Sequence, residues 1–411
     1  MVVLSEVRSR IRAVSSGLGA TLLSATMAVT VHAATITVNS FNQIDPGFCT
    51  IATAIASMNA AADQPGCTHS GTYGTGDTIN LAAGTYASTF IDNGTNAYPV
   101  INVALIINGN GATLSRTLGG AAPFFRFFEV QSGGLTLTNA TLTGGRLTAG
   151  GNGGALFNNS GPLTLGGTTF SGNTAIGGNG GAVYHNSSQA ANISNSTFTN
   201  NTVLPSGDGG AVYDNSNNGM TLTNTSFSGN SAVDGGAVFD NSSGALIING
   251  GTFSGNTAPG GDGGAVYDNS SGGVQINNVA FTNNSSTGGD GGAIFDNTDV
   301  GGPVSNNCFV GNSATVGGGL FRSSTPALNA INNWWGAASG PSGAGPGTGD
   351  AVSTNVTFSP FLTSPPAACS AGPPPPGPGT VAVPTLSEWG LWTMVLVLMG
   401  GGIWAIRRRR R

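Results

Sequence analysis

The sequence predicts an all-β protein: a right-handed parallel β-helix of about ten coils, with a short capping helix before it and an apolar, membrane-length helix after it. Three observations carry that prediction. Gly-Gly pairs begin at Gly153, Gly180, Gly209, Gly235, Gly263, Gly291 and Gly317, so successive units are 27, 29, 26, 28, 28 and 26 residues long. A Phe three residues before an Asn recurs in step with them, at Phe170/Asn173, Phe198/Asn201, Phe227/Asn230, Phe253/Asn256, Phe281/Asn284 and Phe309/Asn312. Inside the units, segments such as Gly273-Val-Gln-Ile-Asn277 and Met220-Thr-Leu-Thr-Asn224 alternate polar with apolar, a period of two and not 3.6. A fixed period of this size marks a solenoid, whose units bury their apolar faces only against one another.

Taken in order, residues 1–33 have the pattern of a secretory signal. Arg8, Arg10 and Arg12 precede a mostly apolar run, and Val31-His-Ala33 offers small residues at the cleavage positions. Signal peptidase is thus an expected partner, and the mature chain is expected to begin at Ala34. Residues 34–100 form an N-terminal cap and first coil. Thr35-Ile-Thr-Val38 alternates as a short strand, and the stretch 50–62 is a helix candidate with Ile51, Ile55 and Met58 on one face. Such a helix covers the open apolar end that stacking cannot hide. Asp77-Thr-Ile-Asn-Leu-Ala-Ala-Gly-Thr-Tyr86 reads as the first coil, and irregular coils follow through 100–114 and 127–142.

Within 101–362 the coils stack as parallel strands about 4.8 Å apart, a rod about 45 Å long. Gly, Asn, Ser and Asp clusters supply turns that need positive φ or a side chain that closes its own turn. Stacking lays equivalent residues in columns. One is the Phe set above; a second is Phe157, Tyr184, Tyr213, Phe239, Tyr267, Phe295 and Phe321; the paired Asn form a hydrogen-bonded turn ladder. Asn332-Asn-Trp-Trp-Gly336 and the segments after it read as a closing coil over 322–362, with the two Trp packing as an exit cap. Residues 363–382, with Gly372-Pro-Pro-Pro-Pro-Gly-Pro-Gly379, make a semi-rigid linker. The tail, 383–411, holds Val383, Pro384, Thr385, Leu386, Ser387, Glu388, Trp389 and Gly390, an apolar run over 391–406, and five Arg. Sixteen helical residues rise about 24 Å against a hydrocarbon core of about 30 Å, so the run just spans once Trp389, Gly390 and snorkelling Arg are included. The Arg block would then stay cytoplasmic.

Those motifs carry four resemblances. The Gly-Gly-Ala-Ile and Phe-x-x-Asn pair, over about 153–321, resembles the repeats of polymorphic outer-membrane proteins, which are surface-exposed β-helices, many implicated in adhesion. Members commonly end in an exporting membrane β-barrel; none is expected here, so export by another route is implied. Cys49-Thr-Ile-Ala-Thr-Ala-Ile55 is similar to the Cys-Ser-Leu-Arg-Glu-Ala capping domain that precedes bacterial β-helices, with Ala52 and Thr53 in place of its Arg and Glu. Asn332-Asn-Trp-Trp-Gly336 resembles the closing coil of many right-handed parallel β-helices. The tail closely resembles the Ile-Pro-Thr-Leu sorting signal handled by exosortase-type enzymes, with Val383 in place of Ile. That likeness implies recognition at 384–390, a transient inner-membrane anchor, cleavage, and delivery to the surface or exterior of a Gram-negative-type envelope.

Composition narrows the function further. Without 1–33 and everything after 383, the chain keeps four Arg, no Lys and fifteen acidic residues, a formal charge of 4 − 15 = −11. Nucleic acid is excluded as a partner, because it needs a Lys/Arg stripe to displace counterions. Four Cys in an exported chain imply disulfides, and of the three connectivities Cys49–Cys67 and Cys308–Cys369 are favoured for local closeness. Cys308 stands beside an inward Phe, so it points outward and can hold the C-terminal segment passing over the outside.

Two acidic columns invite chemistry: Asp208, Asp234, Asp262 and Asp290 before the Gly pairs, and Asp214, Asp240, Asp268 and Asp296 six residues later. A hydrolase needs one pair of carboxylates at a set spacing, and a lyase acting on uronates needs a basic residue. Here the Asp recur coil after coil, and the substitutions that break the second column are His185 and Arg322. The columns therefore read as Asp beside Gly in solvated turns, with Ca²⁺ between stacked carboxylates as the one cofactor alternative. The expected role is adhesive or structural and not enzymatic, with a glycan or protein as the surface ligand. A polysaccharide lyase or glycoside hydrolase on the same scaffold is the alternative.

Overall fold

The computed structural model describes residues 32–116, 123–148 and 150–370. The signal-like segment 1–31, the linker from 371 onward and the whole sorting tail, 383–390 and 391–406 included, lie outside the described residues. Between these limits the chain is mostly β, a β-solenoid of about ten turns with one short helix near its start. Among the described residues every strand pairing between coils is parallel; the one antiparallel strand pair, Thr35–Thr37 with His69–Ser70, lies in the N-terminal cap, and an isolated antiparallel bridge joins Asn93 and Asn96. Among the described residues no helix is long and apolar enough to cross a membrane.

The helix runs Ile51–Ala60, shorter than 50–62. Thr50 caps it, its side chain accepting from Thr53 N–H while the Thr53 hydroxyl accepts from Thr50 N–H at 2.8 Å. Thr53 thus closes a reciprocal capping box where Glu or Gln is usual. Ala61, at φ 49°, ends the helix in the left-handed region. Its inward residues Ile51, Ala54, Ile55 and Met58 join the one continuous apolar core, which covers the first coil.

Register is kept coil by coil. Phe170 pairs with Phe198, and the file continues through Phe227, Phe253 and Phe281 to Phe309. All six rings are fully buried and stacked 4.7–5.2 Å apart. Below Phe170 the same file holds Leu142, Leu114 and Tyr86, and Trp335 closes it 4.6 Å above Phe309. Trp335 is inside, and Trp334 packs outside near Cys308, Ala368 and Cys369, so both Trp serve packing.

The Gly-Gly corner has two separate causes. The first glycine takes positive φ in every unit, 67° at Gly209 for instance. The second sits where coils approach most closely, since a Cβ on Gly210 would lie 2.0 Å from the Gly236 carbonyl of the next coil. Before each ladder Asn the backbone is again left-handed, which explains why that position holds only Gly172, Asn200, Gly229, Gly255, Asn283 or Gly311.

The ladder itself is complete. Asn230 Oδ1 accepts from both Asn201 N–H and Asn201 Nδ2, while Asn230 Nδ2 donates to Asn256 Oδ1 and to the Phe198 carbonyl, all within 2.9–3.0 Å. A buried amide thus has every strong group satisfied, and each rung ties three coils. Disulfides join Cys49 to Cys67 and Cys308 to Cys369. The second fastens Ala367–Ser370 to the solenoid wall, so residues 363–370, assigned above to a linker, run back along the coils.

Candidate functional site

The repeated Gly-Gly-Ala-Val-Tyr-Asp-Asn segment builds one face of the solenoid. In the strand Val212–Asp214, Val212 joins the core, the Tyr213 ring lies on the other side with its own cluster, and Asp214 points in again. The second aromatic file therefore runs along the outside, Tyr184, Tyr213, Phe239, Tyr267, Phe295 and Phe321 stacked 4.6–5.1 Å apart. Its lower end is Phe157, under the Arg126 guanidinium at 4.9 Å. Stacking occupies the ring faces and leaves edges and hydroxyls outward. Beside this file, Asn186, Asn215, Asn241, Asn269 and Asn297 form a side-chain amide ladder at the surface.

On the other flank stand Asp208, Asp234, Asp262 and Asp290, all partly exposed. They continue a ladder begun by Asn152 and Asn179, in which one side-chain oxygen accepts the backbone N–H of the next coil. Asp262 N–H donates to Asp234 Oδ1, Asp290 N–H to Asp262 Oδ1, and Val316 N–H to Asp290 Oδ1. Burial, then the Asp234 charge, pushes Asp208 up to about 6. Burial also raises Asp234 and Asp290.

The second column differs from the expectation of a solvated turn. Asp214, Asp240, Asp268 and Asp296 are fully buried, because on a strand the neighbour of an outward Tyr or Phe faces the core. Each Oδ1 accepts the backbone N–H two residues on, at Ser216, Ser242, Ser270 and Thr298, closing the next turn. Among the described residues the second oxygens of Asp240 and Asp268 have no hydrogen-bond partner. Burial first, and then neighbouring carboxylates, push Asp240 up to about 7 and Asp268 well above the usual range; burial takes Asp214 to about 6. The column ends on compatible groups. Arg322 Nη1 is ion-paired with Asp296 Oδ2 inside the protein. At the other end, His185 Nε2 lies 2.8 Å from the Gln189 carbonyl and Nδ1 lies 2.9 Å from Asn158 Nδ2, the arrangement of a neutral ring protonated on Nε2. Burial lowers the His185 pKa accordingly.

Sequence reasoning missed a cluster in the N-terminal cap. Asp63 Oδ1 accepts from the Tyr73 hydroxyl at 2.6 Å and lies 2.7 Å from His69 Nδ1, an exposed group that pins the loop after the helix. No period marks it, since its members come from unlike positions. A cleft of about 500 Å³ at the exit end is lined by Val310, Thr315, Trp335, Ser342 and Asp350. The Asp350 oxygens there already accept from Gly311 and Asn312. Among the described residues no group of three or more His, Cys, Asp or Glu side chains is placed to hold a metal ion.

Fold and face together define a repeat β-solenoid whose recurring chemistry is spread along its outer surface, one set per coil. The model of the Chlamydia polymorphic membrane protein repeat matches residues 167–186, 195–215, 250–269 and 278–297, and that of the IPTL-CTERM motif matches 381–411. The chain carries both. No curated protein and no solved structure matches it. Each matched repeat spans one Phe-x-x-Asn rung and the following Gly-Gly corner, the two features that set the coil geometry. Such repeats with a C-terminal sorting motif are the makeup of an exported surface protein, and the motif implies a C-terminal sorting system.

Proposed function

We propose that the protein is a non-catalytic adhesive or structural rod, delivered to the cell surface or extracellular matrix of a Gram-negative-type envelope. Signal peptidase removes 1–33, and an exosortase-type enzyme recognises 383–390 and releases the chain from its transient inner-membrane anchor. The observation that carries this reading is the unbroken register of surface side chains over the regular coils, joined in one chain to a sorting motif. A long face that repeats its chemistry favours attachment by many weak contacts at once. Burial of the Asp214 column and the once-per-coil recurrence of Asp208 and its neighbours favour this reading over a lyase or hydrolase, which uses one unique pair.

The test compares cells with the full chain, cells lacking 383–411, and cells lacking the protein. The full chain is expected at the surface with both termini trimmed, as read by mass spectrometry, and to support attachment to a glycan- or protein-coated support. Full-length chain retained in the cytoplasm would overturn the delivery reading. Sustained turnover of a polysaccharide, abolished by one Asp change, would overturn the non-catalytic one.

A further inference from the structure

We infer that the cleft between residues 93–96, 100–102 and 129–131 is a binding site for a neutral saccharide, read through its hydroxyl groups. It lies toward the entry end of the solenoid, away from the Cys308–Cys369 tether, and rests on the adhesive reading only for its part in attachment. The cleft holds about 500 Å³ and is lined by Asn93, Asn96, Val100, Asn102, Glu129 and Gln131, with no aromatic ring among its lining residues. Three segments distant in sequence meet there, and each is pinned. Ala97 N–H donates to the Arg126 carbonyl at 2.8 Å and Arg126 N–H to the Thr95 carbonyl at 2.9 Å, which fixes the turn 93–96. Asn59 of the capping helix donates to the Val100 carbonyl at 2.7 Å and accepts from Asn102 N–H at 2.9 Å. Glu129 accepts from Asn96 Nδ2 at 2.9 Å and from Gln131 Nε2 at 2.6 Å. The polar groups are therefore set in place before a ligand arrives.

The fold leaves polar groups here without partners. Asn96 is 2 % exposed, and among the described residues its Oδ1 is buried with no hydrogen-bond partner. Arg126, 7 % exposed, leaves Nε and Nη1 in the same condition. Its Nη1 stands 4.0 Å from Glu129 Oε2, beyond hydrogen-bond length, and Asn96 Nδ2 bonds that same Oε2. An unused acceptor and unused donors thus belong to the two side chains that flank one carboxylate oxygen. Folded chains bury few such groups unless something else completes them. A group that both donates and accepts meets the need of both, and a hydroxyl is such a group. Charge sets the rest of the ligand class. Arg126 balances the one carboxylate of the cleft, and the other polar side chains lining it are hydroxyl or amide groups; an acidic ligand would meet Glu129, and a basic one Arg126. Val100 is the one apolar side chain among the lining residues, too little to hold an apolar ligand. A neutral molecule dense in hydroxyls is a saccharide. With no aromatic platform, recognition is by hydrogen bonds alone, so the affinity expected is about millimolar and attachment takes many rods at once.

The test titrates the full exported chain by ligand-observed NMR. Maltotriose, cellotriose, mannotriose and diacetylchitobiose are the neutral probes; digalacturonate and glucosamine are the charged ones. The wild type is expected to bind at least one neutral probe with a Kd of about 1 mM, and neither charged probe more tightly. Glu129→Gln should weaken the neutral probe about tenfold and strengthen digalacturonate about threefold, since Arg126 is then uncompensated. Asn102→Ala combined with Gln131→Ala alters only exposed side chains, so its melting curve should not move, and it should weaken the neutral probe about fivefold. A control, Asn218→Ala with Gln275→Ala, removes two exposed amides elsewhere and should bind as the wild type does. No neutral probe bound at about 10 mM would mean that water alone fills the cleft and would overturn the proposal. Tighter binding of a charged probe, unchanged binding in the two cleft variants, or an equal loss in the control would do the same. If cells carrying the Asn102 and Gln131 changes lose the sugar but attach normally, the site stands and attachment runs through another face. If cells lacking the protein attach normally, the adhesive reading fails while the titration is unaffected.

Discussion

The carboxylate of Asp350 stands where a seventh asparagine would stand above Asn312. It accepts from Asn312 N–H at 3.0 Å and from Asn312 Nδ2 at 2.7 Å, as Asn312 Oδ1 itself does from Asn284 at 3.0 and 2.9 Å. A ladder of this kind ends with orphan donors unless something outside the repeat accepts them. Here a residue from the closing coil, 38 positions away, does so.

Removing that cap should therefore loosen the exit end first. Asp350→Ala is expected to lower stability by about 2 kcal/mol, from three donors left to partial hydration. Asp350→Asn, which keeps an acceptor, should cost about half of that. Urea unfolding gives the magnitudes, and faster hydrogen exchange at Gly311 and Asn312 would localise the change.

A rung in the middle should matter more. Asn230→Ala strips the acceptor from two Asn201 donors and the donor from the Phe198 carbonyl, all buried. A loss of about 4 kcal/mol is expected. Asn173→Ala should lose less, since among the described residues its oxygen accepts from Gly145 N–H alone. Equal losses in the same unfolding assay would refute the ladder as a cooperative unit.

The buried column sets a pH dependence. The folded-state pKa values of Asp214 and Asp240, about 6 and about 7, lie above the ordinary 3.8. The folded protein therefore keeps protons that the unfolded chain releases. Their contribution to stability is full below 3.8, declines as pH rises from there to about 7, and is gone above that. Thermal melting should show a Tm advantage at pH 5 over pH 8 that shrinks in Asp240→Asn. A variant whose pH profile matches the wild type would count against a protonated column.

The Arg322–Asp296 pair predicts a double-variant result. Arg322→Met leaves the buried Asp296 carboxyl without its cation, at a cost of about 4 kcal/mol. Adding Asp296→Asn replaces that carboxyl by an amide and keeps the oxygen that accepts from Thr298 N–H, so the double variant should recover to within about 1 kcal/mol of the wild type. Additive losses in denaturant unfolding would mean that the pair is not the cause.

Much of this architecture is legible in the residues, because a solenoid copies its cross-section along the chain. Phe170 to Phe309 fall in one file and Asn173 to Asn312 in another simply because the interval between them matches one turn of backbone. The Asp63, His69 and Tyr73 cluster and the Asp350 cap were not legible, since each occurs once and no interval points to it.

The amino-acid order by itself determined the coil length, the stacking partners and the tail that marks the chain for sorting. Only the tertiary structure decided which acidic column faces the core. Asp208 and Asp214 are six residues apart, and simple alternation would put both on the side of Val212. The Gly209–Gly210 corner, with its positive φ and its close approach to the next coil, resets that alternation, so that Asp214 is sealed inside and Asp208 is left in reach of solvent.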